Sequence, residues 1–273
     1  MRATALSKRM KRYEAVSKTY LSLRTPAVLR IDGRAFHTFT RGLKKPFDEI
    51  LMKSMQKTMM ALCEEIQGCV FGYTQSDEIS LVLVDYQTKD TAAWFDYGVQ
   101  KCASIAASKA TKHFNRFFAQ YANEWIEDYH ESWNVTEEEA KYARTLMKCM
   151  EQGAEFDARI FSMPKDEVCN YLFWRQDDAT RNSIQMVGHA YFSNSAMNKK
   201  SNNEIQEMLF SQKGINWNDF AIPEKRGTAC IKVEREYQTE DGKLFTRKKW
   251  EIDKKMPILT GDDRAYVEKH IFI

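Results

Sequence analysis

Ala27-Val28-Leu29-Arg30-Ile31-Asp32-Gly33 is the stretch on which the reading of this chain turns. Its residues are apolar up to Asp32, apart from Arg30, and Gly33 then stops the run. That is the pattern of a buried strand entering a tight loop, here one carrying Arg34, Phe36 and His37. Beyond Lys45-Pro46, apolar residues recur at Phe47, Leu51, Met55, Met59, Leu62 and Ile66 and stop before Gly68, which predicts an amphipathic helix. Cys69-Val70-Phe71-Gly72-Tyr73 and Ile79-Ser80-Leu81-Val82-Leu83-Val84 then read as two strands, with Thr74-Gln75-Ser76-Asp77-Glu78 as the hairpin loop between them. A long helical stretch over residues 91–129 follows, with Trp94, Phe95, Val99, Cys102, Ile105, Phe114, Phe117 and Phe118 as its apolar positions. Thr136 and Glu139 have capping-box spacing, and residues 156–161 read as another strand, ending at Met163-Pro164.

This β-α-β-β-α-β order predicts an α+β fold of ferredoxin-like type, an antiparallel sheet with its helices on one face. The rest of the chain reads as a helix over 165–192, a capped helix from Ser201 to about Gly214, and a hairpin turning at Asp241-Gly242. The expected organisation is therefore a single catalytic domain over 1–273, with a core at about 25–163 and a helical and hairpin extension at about 164–273.

Composition agrees with one large folded unit. The 273 residues are 43% hydrophobic and 12% aromatic, with only 11 Gly and 5 Pro, enough apolar material for a sizeable core. The longest aliphatic run, residues 79–84 interrupted by Ser80, is far short of the ~20 residues that cross a bilayer, so no membrane partner is expected. The N-terminal residues are basic and lack the apolar stretch of a secretory signal, which makes a cytoplasmic location the expectation. Six cysteines without CxxC spacing and five dispersed histidines argue against disulfides and a structural zinc site. The net charge is only +3, but residues 1–24 carry seven Lys/Arg against Glu14 alone, either an arm for phosphates or a solvated terminus.

In a ferredoxin-like sheet the first and third strands are neighbours, which brings Asp32 to the same edge as Asp77 and Glu78. Carboxylates gathered in this way repel unless cations neutralise them, and hard oxygen ligands with open positions suit Mg²⁺. A pair of such ions supports phosphoryl or nucleotidyl transfer. The alternative is an ordinary Asp-Gly turn and a polar hairpin loop. Gly33 lets the backbone bend close to a bound group, and successive loop N–H groups can cradle phosphate, with Arg30, Arg34, His37 and Lys45 adding positive charge. A nucleoside triphosphate with Mg²⁺ matches this mixture. Arg30 can equally pair with an acid across the sheet, and Phe36 can belong to the core.

Residues 30–37, Lys45-Pro46-Phe47-Asp48, residues 72–80 and Tyr171-Leu172-Phe173-Trp174-Arg175-Gln176 together resemble the tRNA-histidine guanylyltransferase superfamily in order and spacing. The resemblance implies a polymerase-type palm working in the 3′-to-5′ direction on tRNA, with ATP and GTP or other NTPs as substrates and two Mg²⁺ ions. It implies metal ligands at Asp32, the Gly33 carbonyl and Asp77, with Glu78 as the accompanying catalytic carboxylate. Nucleotide-binding positions would be Asp32, Gly33, Arg34, Ala35, Phe36, His37, Ser76 and Asp77, with Lys45 and Lys101 contacting phosphate or the RNA 5′ end. A homotetramer is implied as well. Where the guanylyltransferases proper carry His-Ile-Asn-Asn, this chain has Ala179-Thr180-Arg181-Asn182-Ser183-Ile184, the form of the guanylyltransferase-like branch that repairs tRNA 5′ ends against a template. Arg175, Asp178, Asn182, Gln185 and His189 share one polar helix stripe, facing either RNA, a second subunit or solvent. Guanosine addition confined to tRNA-histidine, a palm-type nucleotidyl cyclase and a non-catalytic RNA-binding protein are the competing functions.

Overall fold

The computed structural model describes residues 4–131, 136–238, 242 and 244–273. In chain order the helices are α1 (Ala5–Ala15), α2 (Phe36–Phe39), α3 (Glu49–Glu65), α4 (Val99–Glu131), α5 (Glu137–Gln152), α6 (Lys165–Tyr191), α7 (Asn194–Met197), α8 (Asn202–Lys213), α9 (Ile222–Arg226) and α10 (Ala265–Glu268). The strands are β1 (Ala27–Gly33), β2 (Cys69–Gln75), β3 (Glu78–Leu83), β4 (Phe156–Ser162), β5 (Thr228–Gln238) and β6 (Leu244–Asp253). Among the described residues they form one antiparallel sheet of order β4-β1-β3-β2-β5-β6. The first four strands have the expected ferredoxin-like order, and the extension lengthens the same sheet through β5 and β6.

Local chemistry sets the element ends. Asp48 caps α3 by accepting from the Leu51 N–H at 3.0 Å. The helix gives way at Gly68, whose φ of +81° and 2.7 Å approach of a would-be Cβ to the Val84 carbonyl exclude a side chain. Thr136 and Glu139 form the predicted capping box of α5, and Ser201 with Glu204 form that of α8.

The first core lies between the sheet and helices α3 and α4. Leu29, Ile31, Ile79 and Leu81 meet Met55, Met59 and Leu62 of α3, while Cys102, Ala106, Ala110, Phe114, Phe118 and Ala122 line the buried side of α4.

Three expectations are corrected. Helices do not cover one face alone: Phe71, Tyr73, Val82 and Val84 pack under α6 and the C-terminal segment in a second core with Leu172, Met256 and Ile271. The uninterrupted burial of β2 and β3 is the physical counterpart of a sheet covered on both sides. The β2–β3 loop is shorter than residues 74–78, because Gln75 pairs with Glu78 and only Ser76 and Asp77 turn, Ser76 with φ +49°. Glu78 is thus a strand residue.

Nor does the helix begin near residue 91. Trp94–Tyr97 forms a tight 3₁₀ turn in which Phe95, Asp96 and Tyr97 all have positive φ, which lets both Trp94 and Tyr97 enter the core before α4 starts. The basic N-terminus, left open between an arm and a solvated segment, is a helix, α1, capped by Thr4, with none of its own residues buried. In the β5–β6 hairpin, paired from Ala229↔Asp253 to Gln238↔Leu244, Asp241 of the expected turn lies outside the described residues.

Candidate active site

Register brings the acids together. Asp32 at the end of β1 is opposite Glu78 at the start of β3, and the Gly33 N–H donates to the Asp77 carbonyl at 3.1 Å. Burial raises the Asp77 carboxyl above its ordinary pKa, and the neighbouring Asp32 charge adds to that rise. Glu78 is also raised by burial, although Arg30 and Arg175 oppose it. The Arg30 guanidinium meets Glu78 at 2.7 Å and Asp32 at 3.1 Å, so Arg30 does pair with acids on the sheet.

Gly33 and Asp77 open onto a cleft of about 640 Å³ that also takes in Ala35, Phe36, His37, Lys45 and Ser76. Its opposite wall comes from α6, through Asn182, Gln185, Met186 and His189. Three residues of the predicted polar stripe, Asn182, Gln185 and His189, therefore face the cleft. Arg175 instead dives to Glu78, and Asp178 pairs with Arg175 and Arg181.

The loop after Asp32 is more committed than its sequence implies. A Cβ on Gly33 would lie 2.2 Å from the Phe36 ring, so glycine is required for Phe36 to fold beneath it. Phe36 packs on Phe39, Phe114 and Phe156 at centroid distances of 5.2, 5.5 and 5.2 Å, and so forms the cleft floor as a core residue. The Gly33 and Arg34 N–H groups are engaged by the Asp77 and Glu155 carbonyls, which narrows the expected amide cradle to Ala35, Phe36 and His37 at the start of α2. Arg34 is exposed and paired with Glu155. Lys45 lines the cleft, on a loop held in place because buried Asp48 accepts from the Lys44 N–H at 3.0 Å and the Tyr142 hydroxyl at 2.7 Å.

Lys101 is not brought to this cleft. It lies near the start of α4 with its Nζ 4.4 Å from the Phe95 ring centroid, beside Lys18, Thr19 and Tyr20. Phe114, which touches Phe36, is roughly 20 Å further along the same helix at ~1.5 Å per residue.

The residues sequence reasoning left without a role are Ser80 and Tyr171, whose hydroxyls share a 3.0 Å hydrogen bond beside Glu78. The alternation of Arg30, Asp32, Glu78 and Ser80 onto one face was the available signal.

Among the described residues no three His, Cys, Asp or Glu side chains converge as a ready-made metal site. The donor set is instead two carboxylates, Asp32 and Asp77, and the Gly33 carbonyl. All are hard oxygens, and a cation would relieve both the burial of the Asp77 charge and its repulsion by Asp32, so the residues fit Mg²⁺, which keeps several of its own waters.

Comparison with known proteins agrees with this geometry. The family model described as tRNAHis guanylyltransferase matches residues 7–164. A bacterial tRNA(His) guanylyltransferase-like protein solved with ATP is 34% identical, with a TM-score of 0.78 over 98% of this chain and 100% of that one. A probable tRNA(His) guanylyltransferase of Dictyostelium discoideum is 28% identical over 83% of each chain. The Saccharomyces cerevisiae tRNA(His) guanylyltransferase structure, 22% identical with a TM-score of 0.58 over 80% of this chain and 90% of that one, shares the fold. With its acids at the β1 and β3 ends beside an open cleft, this chain belongs to the tRNAHis guanylyltransferase family and is a guanylyltransferase-like nucleotidyltransferase.

Proposed function

We propose that this enzyme adds nucleotides to tRNA 5′ ends in the 3′-to-5′ direction, restoring truncated ends against the opposite acceptor strand, in the cytoplasm and as a homotetramer. The observation that carries the reading is the Asp32–Asp77 pair beside a cleft with basic and amide-bearing walls. The bacterial relative has been solved with ATP and with GTP, which supports two nucleotide roles, an activator and a substrate. The unburied apolar side chains of α1, Leu6, Met10 and Tyr13, support assembly.

In the first step an oxygen of the RNA 5′-monophosphate attacks the α-phosphorus of ATP, a phosphoanhydride forms and pyrophosphate leaves. In the second the 3′-hydroxyl of the incoming nucleotide attacks that 5′ phosphorus, a phosphodiester forms, AMP leaves and the hydroxyl proton passes to solvent. Asp32, Asp77 and the Gly33 carbonyl would hold Mg²⁺, which would supply charge neutralisation at the reacting phosphates. Lys45 faces the same phosphates from the cleft wall, and Asn182, Gln185 and His189 bound the space for the RNA end.

Template choice is supported by the segment that replaces His-Ile-Asn-Asn. Arg181 is tied to Asp177 and Asp178, and Ser183 is buried and accepts from the Trp217 indole N–H at 3.0 Å. Of Arg181, Asn182 and Ser183, only Asn182 lines the main cleft, leaving base pairing to align the incoming 3′-hydroxyl. Guanosine addition confined to tRNA-histidine is the second reading, favoured by relatives named for that activity.

The test supplies Mg²⁺, ATP and all four NTPs to tRNAs of several identities lacking their first 5′ nucleotide, with each of the four bases at the templating position. Addition of the Watson–Crick nucleotide in every case is expected. Guanosine opposite every base, on tRNA-histidine alone, selects the second reading, and no 5′ addition to any RNA rejects both.

A further inference from the structure

Glu78 is the one acid of the trio that is buried. Its side chain is 4% exposed. Its Oε2 accepts from Arg30 Nη2 at 2.7 Å and from Arg175 Nη1 at 3.0 Å, while Oε1 accepts from the Ser80 hydroxyl at 3.4 Å. The same Arg30 nitrogen reaches Asp32 Oδ2 at 3.1 Å. Arg175 comes from α6, 97 positions away in sequence, and is itself only 5% exposed. Its Cζ lies 3.6 Å from the Trp174 ring centroid, and its Nη2 holds Asp178 at 3.3 Å.

A carboxylate gripped by two guanidiniums has its lone pairs directed at N–H donors and its charge balanced, which leaves little for a cation. Asp32 differs: Arg30 meets it through Oδ2 alone, and its side chain stays 29% exposed.

Resting on the metal reading above, we propose that Glu78 and Arg175 are positioning residues and that Glu78 is not a metal ligand. Arg175 fixes Glu78, Glu78 fixes Arg30, and Arg30 turns Asp32 so that Oδ1 meets the cation. The chain of ion pairs makes α6, which also forms the cleft wall through Asn182, Gln185 and His189, a support of the metal site.

The experiment measures Mn²⁺ binding to the folded protein by electron paramagnetic resonance, without nucleotide or RNA, with thermal melts confirming the fold. Glu78→Gln keeps one carbonyl acceptor but removes the charge that holds Arg30, which then closes on Asp32, and affinity should fall on the order of tenfold. Arg175→Met leaves every oxygen of the site in place and removes a positive charge, yet by releasing Glu78 it should also lower affinity, by about threefold to tenfold. If Arg175→Met binds Mn²⁺ as well as the wild type or better while Glu78→Gln is weak, Glu78 acts as a ligand and the proposal is overturned. Asp77→Asn serves as the reference and should bind at least about a hundredfold more weakly. Wild-type Mn²⁺ binding by that variant would overturn the metal reading itself, and is distinguishable from failure of the Glu78 assignment alone.

Discussion

The two faces of β1 and β3 are made from alternate residues of the same strands, yet they do opposite work. On one face Leu29, Ile31, Ile79 and Leu81 are wholly buried against α3 and α4. On the other, at the open end of the sheet, Arg30 ties Asp32 to Glu78, and Glu78 and Ser80 meet Arg175 and Tyr171 of α6. Strand periodicity of two makes this possible: the apolar residue beneath each charged one pins the backbone that aims it. The acids can then be held close against their repulsion, because the platform rather than the acids supplies the stability.

Asp77→Asn puts this contrast to its most severe test. Nucleotide addition should fall on the order of a thousandfold, since the change removes a carboxylate at the reacting phosphates. The melting temperature of the metal-free protein should hold or rise, because an ionised carboxylate raised by burial and by Asp32 strains the native state at neutral pH. A 5′-extension assay beside a thermal melt decides it, and an Asn variant that retained turnover at saturating Mg²⁺ would remove Asp77 from the chemistry.

On the apolar face, Leu81→Ala reverses the pattern. Deleting a wholly buried leucine should cost about 2–5 kcal/mol, roughly 5–15 °C of melting temperature in a chain this size. The Mg²⁺ concentration for half-maximal activity should stay within about twofold of the wild type at a temperature where both proteins are folded. A metal requirement that moved with stability would mean that the faces are not separable.

Much of this division is readable from residues alone, for reasons that also explain the misses. The spacing of Met55, Met59 and Leu62 and the run 27–33 are period signals produced by burial itself, so they identify α3 and β1. Asp32 and Asp77 converge because strand order follows from element order, a topological rule that needs no side-chain detail. Glu78 looks like loop because Ser76-Asp77-Glu78 is uniformly polar, whereas its strand position depends on Arg30 and Arg175 being there to receive it. That partnership joins residues 97 positions apart and leaves no local pattern. The break before α4 was hidden for a different reason: Trp94 and Phe95 continue the apolar count across a turn whose positive φ values have no glycine to announce them. Lys101 lies beside Phe95, Lys18 and Tyr20 and outside the cleft, a placement that follows from the same unannounced turn before α4.

The smallest expected effect concerns His270, which packs against the second core through Phe71, where the sheet face of Glu78 becomes apolar. Its ring lies 5.9 Å from that of Phe71, and its Nε2 is buried without a hydrogen-bond partner among the described residues. Burial first, then the positive charges of Lys269 and Lys248, pull its pKa from 6.5 down to about 4. The unfolded chain therefore takes up this proton before the folded one does as the pH falls. The stabilisation is complete above about 6.5 and is lost as the pH drops towards 4. Because the ring is only partly shielded from solvent, the loss should be roughly 1–2 kcal/mol, less than the full shift implies. Comparing thermal melts of the wild type and His270→Phe from pH 7.5 to 4.5 isolates this contribution, since the carboxylates titrating in the same range are common to both. The variant's melting temperature should fall less steeply, with 5′ addition at neutral pH within about twofold of the wild type. Parallel melting curves would show that His270 takes its proton in the folded state, and with it that the second core admits charge as readily as the face around Glu78.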